Sequence, residues 1–190
     1  MRIVAGDFGG RPLSAVPGTL TRPTTDKVKE AMFSMIGPYF DGGRALDLFA
    51  GSGGLAIEAV SRGIDEAVLV DRQYQAVKTI RENIAVTKAP ERFTVIKGDS
   101  EAVLGRLASD GQPFDLILLD PPYAKQKIIA NLTFMAEHGL LNDGATVIAE
   151  TDQNAGLPEQ FAGFTQTHHK DYGITDVMVY EFHTETEAPA

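Results

Sequence analysis

Carboxylates and glycines at the ends of apolar runs are the residues of this sequence that could do chemistry. The apolar run 45–49 carries one acid, Asp47, and breaks into Gly51-Ser52-Gly53-Gly54 before a helical pattern begins. Glycine lets a ligand approach the backbone closely, and the start of a helix offers free N–H groups. Although such turns also end ordinary βα units, we predict a strand, a tight turn that binds a ligand, and a helix.

A second acid, Asp71, follows the next apolar run and lies 20 residues beyond Gly51. That separation is typical of an acid that accepts hydrogen bonds from ribose hydroxyls in nucleoside-binding folds. The glycine pattern also fits a loose dinucleotide motif, so NAD and S-adenosylmethionine are both candidate ligands. Asp47 favours S-adenosylmethionine, because an acid beside the turn suits a cationic aminoacyl-sulfonium ligand and serves no purpose beside a pyrophosphate. No lysine follows the turn, which argues against a Walker-type phosphate loop.

A third acid opens the sequence Asp120-Pro121-Pro122-Tyr123, directly after an apolar run. Two consecutive prolines fix φ and cannot donate hydrogen bonds, so the loop is rigid and its carbonyls are free acceptors. The Asp120 carboxylate and the Pro121 carbonyl can accept the two protons of an exocyclic base amine, which turns the nitrogen lone pair toward an incoming methyl group. Tyr123 offers a face on which a flipped-out base can stack. The alternative is a loop that simply ends a strand.

Strand and helix patterns alternate around these motifs. An amphipathic helix is predicted from Asp26 to the Gly37-Pro38 break. Beyond it, strands are predicted at 45–49, 66–70, 93–97, 114–119 and 145–149, and helices at 55–62, 74–86, 100–107 and 127–138. This alternation predicts parallel βαβ units with helices on both faces of the sheet, and ligands bind beyond the carboxyl ends of such strands. The runs 164–170 and 175–182 are joined too closely for a crossover helix and predict an antiparallel hairpin.

The first 29 residues form a basic prefix in an acidic chain. The formal charge of the whole sequence is −9, whereas this prefix carries +3 from five basic and two acidic residues. The acidic remainder argues against a nucleic-acid partner, but the prefix softens that objection. Extended pieces at 2–6 and 11–13 flank two glycines and predict a small projecting hairpin. The candidates for contacts with RNA phosphates are Arg2, Arg11 and Arg22.

The composition excludes several other classes of function. A chain of 190 residues is most simply one domain, and the absence of cysteine excludes disulfides, thiolate metal sites and cysteine nucleophiles. No apolar run approaches membrane-spanning length, and residues 1–30 hold no signal-peptide core, so we expect a cytoplasmic protein. His168 and His169 are adjacent in an extended segment and point to opposite faces, so we expect no metal site there.

Taken together, the motifs resemble the class I S-adenosylmethionine-dependent methyltransferases that modify exocyclic amines. The motifs that carry this resemblance read ALDLFAGSGG, VLVD, KGDS and LLDPPY. The upstream pieces 2–11, 22–24 and 30–33 look like the RsmD family, which methylates guanine N2 in small-subunit ribosomal RNA. The later pieces 139–141, Glu150 and 172–173 fit as well, so the resemblance covers nearly the whole chain.

The resemblance implies an α/β fold, Rossmann-like, with a mostly parallel seven-stranded sheet, a C-terminal antiparallel hairpin and a small N-terminal extension. The implied units are an RNA-contacting extension at 1–40, a methyltransferase domain at 41–183 and a flexible tail at 184–190. Asp47 and the glycine turn would hold the methionine part of S-adenosyl-L-methionine, Asp71 the ribose, and Asp99, with Ser100 beside it, the adenine amine. The implied cofactor-binding residues are Asp47, Phe49, Gly51, Gly53, Asp71, Asp99 and Ser100, and the implied catalytic residues are Asp120, Pro121, Pro122 and Tyr123.

The expected reaction leaves S-adenosyl-L-homocysteine and uses no metal, and the expected partner is ribosomal RNA within a small-subunit particle. We expect a monomer with no membrane partner. Three alternatives stay open. An adenine-N6 DNA methyltransferase shares the Asp-Pro-Pro-Tyr element but usually needs a separate recognition region, and only about 40 residues precede the core here. A protein glutamine methyltransferase typically carries Asn at the first position, and a non-catalytic fold would only bind nucleoside.

Overall fold

A single sheet with helices on both faces forms the body of the protein. The computed structural model describes residues 1–18, 24–122, 127–173 and 175–185. The helices are α1 (Asp26–Ile36), α2 (Gly54–Ser61), α3 (Tyr74–Thr87), α4 (Ser100–Asp110) and α5 (Ile128–Glu137). The strands are β1 (Arg44–Asp47), β2 (Glu66–Asp71), β3 (Phe93–Lys97), β4 (Phe114–Leu119), β5 (Leu141–Thr151), β6 (Gln160–Phe161), β7 (Phe164–Asp171) and β8 (Asp176–Phe182).

The strands lie in the order β3-β2-β1-β4-β5-β8-β7-β6. Neighbouring strands from β3 to β5 are parallel, whereas β8, β7 and β6 are added antiparallel. This confirms the predicted α/β fold with a mostly parallel sheet and a C-terminal hairpin. The expected number of seven strands is wrong, because β6 adds an eighth that pairs with β7. A strand of two residues is too short to leave a periodic signal in the sequence.

Two hydrophobic cores lie on opposite faces of the sheet. Helices α1, α2 and α3 cover one face, and α4 and α5 cover the other. The alternation along β8 shows how one strand supplies both cores: Val177 and Val179 face the first, whereas Met178 and Tyr180 face the second. Both sets are buried because β8 lies between β5 and β7, inside the sheet. The parallel strands are therefore held rigidly, with their carboxyl ends at one edge.

The N-terminal segment 1–18 has the predicted pairing of its extended pieces but packs against the domain, so only the expectation that it projects is wrong. Its two extended pieces are joined by an antiparallel bridge between Arg2 and Pro12 and by backbone hydrogen bonds, such as that from the Ile3 N–H to the Arg11 carbonyl oxygen at 2.9 Å. The Asp7 backbone N–H donates to the Ser61 carbonyl oxygen at 2.8 Å, which ties the segment to the end of α2. Its apolar side chains that enter the core are Ile3, Phe8 and Leu13. Burial of these three side chains draws the segment onto the helices.

A buried ionic cluster fixes this segment to α2. The Glu58 carboxylate is fully buried and accepts hydrogen bonds from the backbone N–H groups of Val4 and Ala5. It also accepts from the Arg62 guanidinium, one turn further along α2, at 3.1 Å. Lys29 of α1 is buried beside them and donates to a backbone carbonyl oxygen of the N-terminal segment. Every oxygen of Glu58 thus has a donor, which is the condition for burying a charge in a stable core.

Candidate active site at the carboxyl edge of the sheet

Five acids lie at or just beyond the carboxyl ends of five adjacent parallel strands. The strand order from β3 to β5 brings them to one edge of the sheet. Across that edge they are Asp99, Asp71, Asp47, Asp120 and Glu150. The sequence pattern predicted that Asp99, Asp71 and Asp120 converge with the glycine turn that follows Asp47, and the sheet topology brings these acids to one edge. We refer to these five residues as the acidic row.

Asp47, the last residue of β1, is the most deeply buried member of the acidic row, with 1% of its surface exposed. Its Oδ1 atom has no hydrogen-bond partner among the described residues. Burial, and then the nearby charge of Asp71, raise the pKa of Asp47 to about 7, while the backbone N–H groups of Ala56 and Phe49 oppose that rise. A buried carboxylate oxygen without a donor is costly, so this position suits a ligand that brings a cation.

The glycine turn lies directly beside Asp47 and leaves room for a ligand. Gly51 and Gly53 both have left-handed backbone, at φ of 56° and 82°. A Cβ atom added to Gly51 would meet open space, whereas one added to Gly53 would lie 3.1 Å from the Leu69 side chain. The Asn83 amide donates to the Ser52 carbonyl oxygen at 2.8 Å and holds the turn in place. Gly53 is therefore needed for packing, and Gly51 allows a ligand to approach the backbone.

Asp71 joins the glycine turn to the end of β2. Its Oδ2 accepts the Gly51 backbone N–H at 3.0 Å, and its Oδ1 accepts the Gln73 backbone N–H at 2.9 Å. The side chain is half-buried, and each carboxylate oxygen keeps lone pairs for further donors. The predicted ribose acid is thus oriented by the turn predicted to bind the same ligand.

Asp99, Ser100 and Phe49 lie around the same edge. Asp99 is exposed, and its Oδ1 accepts the Glu101 backbone N–H at 3.0 Å, so it caps the N-terminus of α4. Ser100 is the first residue of α4 and is half-buried. Phe49 is also half-buried and packs against the core on the α4 and α5 face. Their contacts with a cofactor stay a prediction.

Asp120 and Glu150 are neighbours because β4 and β5 are parallel and in register up to their carboxyl ends. Glu150 is 8% exposed, and its Oε2 accepts the Thr24 hydroxyl at 2.9 Å. Burial, and then the charges of Glu150 and Asp47, raise the pKa of Asp120 well above its usual range. Burial also raises the pKa of Glu150, although the Thr24 hydrogen bond opposes this. The predicted amine acceptor therefore lies between two other carboxyl groups.

Glu150 was not among the predicted site residues, although it belongs to the pieces of the sequence that carry the family resemblance. A signal was present, since Glu150 directly follows the strand predicted at 145–149, just as Asp71 follows its own. Asp71 and Asp120 were predicted because each directly follows a predicted strand, and the same criterion would have selected Glu150.

The remaining predicted site residues are divided between described and undescribed parts of the chain. Pro121 is buried and Pro122 exposed, so the rigid loop leaves the sheet at the surface. Tyr123 and Arg22 lie outside the described residues, so stacking on Tyr123 and an RNA contact of Arg22 stay predictions.

The two described arginine candidates have different surroundings. The Arg2 side chain is 62% exposed and lies 3.4 Å from Asp26. The Arg11 guanidinium donates to the carbonyl oxygens of Val86 and Thr87 at the end of α3, at 3.1 and 2.8 Å. Arg11 thus satisfies carbonyls that a helix end leaves unpaired. RNA contacts of both arginines stay predictions, but Arg11 already has a structural role.

Three further findings, on metal sites, on the adjacent histidines and on membrane spans, concern the described part of the chain alone. It contains no group of three or more His, Asp or Glu residues arranged to hold a metal ion. The adjacent histidines have separate partners: His169 lies 3.0 Å from Asp176, and His168 lies 3.1 Å from the Thr167 hydroxyl. No helix in the same ranges is long and apolar enough to span a membrane.

The chain matches known proteins over nearly its whole length. The family model described as "Conserved hypothetical protein 95" matches residues 1–181. The "Putative rRNA methyltransferase YlbH" of Bacillus subtilis is 46% identical over 181 residues, which cover 95% of this chain and 98% of the relative. The "Ribosomal RNA small subunit methyltransferase D" of Escherichia coli is 29% identical over 190 residues, with coverage of 100% and 94%.

Solved structures agree with the fold. The structure of the "Putative methyltransferase yhhF from Escherichia coli" superposes with a TM-score of 0.82 at 29% identity, covering 97% of this chain and 99% of that one. The predicted class I methyltransferase fold is confirmed.

Proposed function

Because the chain belongs to the family described as "Conserved hypothetical protein 95", the RsmD family, we propose that it methylates the N2 amine of a guanine in small-subunit ribosomal RNA. The methyl donor is S-adenosyl-L-methionine. One observation carries this proposal: the buried Oδ1 of Asp47, which has no hydrogen-bond partner in the described part of the chain, lies in the same acidic row as Asp120, which opens the Pro121-Pro122 loop. A site for a cation and a site for an amine are therefore side by side. The relatives named as ribosomal RNA methyltransferases support the class of substrate.

The residues of the acidic row fit this donor. S-adenosyl-L-methionine supplies a methyl group that is already activated on a sulfonium. Asp47 accepts a hydrogen bond from the ammonium group of the ligand, for which Oδ1 is available. Asp71 accepts from the ribose hydroxyls and Asp99 from the adenine amine; the strand order supports this assignment, since it places β3 beyond β2 and away from Asp47 of β1. Gly51 provides the close backbone approach.

The base amine is held by Asp120 and the loop after it. The Asp120 carboxylate and the Pro121 carbonyl oxygen accept the two N–H groups, which directs the nitrogen lone pair toward the methyl group. Transfer is direct and needs no covalent enzyme intermediate. Most of the rate enhancement comes from the positioning of the two reactants, since the methyl group is activated before it is bound.

The substrate that we propose is a partly assembled small-subunit particle, and we propose that the enzyme acts as a monomer. A formal charge of −9 disfavours tight binding to naked RNA, because phosphate binding depends on lysine and arginine. Ribosomal proteins in a particle can supply contacts that do not depend on phosphate.

The test is to incubate the protein with labelled S-adenosyl-L-methionine and, in parallel, small-subunit particles, free RNA, DNA and protein extract. Digestion of the labelled product should yield N2-methylguanine from the particle. The variant Asp120→Ala should bind the cofactor in calorimetry but methylate at least about 100-fold more slowly, because positioning and proton acceptance are both lost. Asp110→Ala, the same change at the exposed end of α4, is the control. Label in DNA or protein alone, or wild-type activity of Asp120→Ala, would refute the proposal.

A further inference from the structure

Glu150 is a second carboxyl beside the amine acceptor, and the proposed function gives it no task. We propose that Glu150 is a positioning residue for methyl transfer: held by Thr24, its charge keeps Asp120 basic enough to take up the proton that leaves the base amine. This role rests on the proposed function, because it requires an amine as the methyl acceptor. Glu150 itself need not touch the base.

Strand pairing and a hydrogen bond to Thr24 hold Glu150 beside Asp120. It extends from β5 at the level where Asp120 leaves β4, and the two strands are parallel and in register there. Thr24 immediately precedes Thr25, the N-cap residue of α1, and its hydroxyl donates to Oε2 of Glu150 at 2.9 Å. The side chain is almost fully buried, so water screens its charge weakly. The charge of Glu150 therefore acts mainly on the neighbouring Asp120 carboxyl group.

The groups around Asp120 are acidic on both sides. Asp47 lies toward β1, and Glu150 lies toward β5. Within the described ranges, no lysine or arginine forms an ion pair with any of these three carboxyls. Burial and the two neighbouring charges act in the same direction on the pKa of Asp120, and Glu150 is the larger of the two charged contributors. A like charge nearby makes a carboxylate a better proton acceptor.

That basicity is useful in the proposed step. The amine lone pair forms the new N–C bond, the electron pair of the S–C bond stays on sulfur, and the sulfonium becomes a neutral thioether. The nitrogen must then lose one proton, which passes to the Asp120 carboxylate and later to solvent. Proton uptake is faster when the pKa of the acceptor is closer to neutral pH than the ordinary value of an aspartate.

A purely structural role for Glu150, as an anchor for Thr24, leads to a different expectation. The variant Glu150→Gln keeps an amide oxygen that can accept the Thr24 hydroxyl, so it preserves the anchor and removes the charge. A structural anchor would therefore leave the pH dependence of methyl transfer unchanged. Removal of the charge should lower the pKa of Asp120.

The experiment compares single-turnover methyl transfer by the wild type and Glu150→Gln between pH 5.5 and 8.5. We expect the acid midpoint of the Glu150→Gln profile to fall by about one pH unit, with a rate several-fold lower at the alkaline plateau. Glu181 lies on β8 opposite Thr146 of β5, and Thr146 is four residues before Glu150 on that strand. Glu181→Gln is the matched control. Its profile should superimpose on that of the wild type. A superimposed profile for Glu150→Gln would overturn the proposal.

A second measurement needs no substrate. Carboxyl carbon NMR titration of 13C-labelled protein should show a lower pKa for Asp120 in Glu150→Gln than in the wild type, and an unmoved titration would also overturn the proposal. Thermal unfolding shows that the variant is folded. If the wild-type product were not N2-methylguanine, the proposed function would fail, whereas the Asp120 titration would still decide the role of Glu150.

Discussion

Two carboxylates, Glu58 and Asp47, are both almost completely buried, yet their surroundings differ. Glu58 accepts two backbone N–H groups of the N-terminal segment and the guanidinium of Arg62, with Lys29 close by. Asp47 has an oxygen that no donor of the described ranges reaches, and its charged neighbours there are other carboxyls. One buried charge is fully compensated inside the chain, and the other is not.

The difference separates a charge that holds the fold from one that serves a ligand. A compensated buried charge contributes to the native structure only with its partners, and removal of one partner leaves the others uncompensated. An uncompensated charge costs stability in the free protein, and a cationic ligand can recover that cost on binding. The same chemical change, carboxylate to amide, should therefore act in opposite directions at the two positions.

The largest effect is expected from Glu58→Gln. The variant leaves the Arg62 guanidinium and the Lys29 ammonium buried without their carboxylate, so the free energy of unfolding should fall by roughly 3 kcal/mol or more. Urea denaturation measures this change, with Glu66→Gln as the control because Glu66 forms an exposed ion pair with Arg44. A loss no larger than that of the control would remove the contrast between the two carboxylates.

Asp47→Asn should instead stabilise the free protein. Because the pKa of Asp47 is raised to about 7, the folded state holds a proton that the unfolded state has already lost above its ordinary pKa of 3.8. The free energy of unfolding therefore falls as the pH rises from about 4 through 7, by up to roughly 4 kcal/mol. The amide of Asp47→Asn does not ionise, so the variant does not lose this stability. Unfolding measured at pH 5.5 and pH 8 should show the larger gain at pH 8. A destabilised variant at pH 8 would contradict the assignment.

Cofactor affinity should depend on pH through the same group. The ionised form of Asp47 attracts the cationic ligand and the protonated form does not, so S-adenosyl-L-methionine should bind about tenfold more weakly at pH 6.0 than at pH 7.5. Calorimetry in buffers of different ionisation enthalpy should detect the proton released on binding. Asp47→Asn should bind weakly at both pH values, and a wild-type affinity that does not change with pH would exclude this linkage.

The smallest effect is expected at Arg2 and Arg11, of which the first is exposed beside Asp26 and the second is bonded to backbone carbonyls. Arg2→Glu changes an exposed guanidinium and should weaken RNA-dependent methylation a few-fold and lower its salt dependence by about one counterion. Arg11→Glu should also lower the melting temperature, because its guanidinium caps the carbonyls at the end of α3. Activity of Arg2→Glu equal to wild type at several salt concentrations would exclude Arg2 as a phosphate contact.

Local patterns in the sequence were sufficient for the fold class and for most residues of the acidic row. The period of apolar residues predicted the alternation of strands and helices, and it placed β3 and β4 at the residues where the structure has them. An acid within a predicted strand pointed to Asp47, and acids directly after predicted strands pointed to Asp71 and Asp120; the strand order brings all three to one edge. These features are local, because strand length, turn glycines and proline constraints each depend on a few consecutive residues.

Contacts between distant parts of the chain decided the rest. The partner of Glu150 is Thr24, 126 residues away, and no local pattern links them. Arg11 was predicted to meet RNA, but the path of the N-terminal segment places its guanidinium on α3. The order of the strands alone determines which acids are neighbours and hence how their charges add. Whether a buried carboxylate is compensated, like Glu58, or left open, like Asp47, depends on through-space electrostatics that only the packed chain defines.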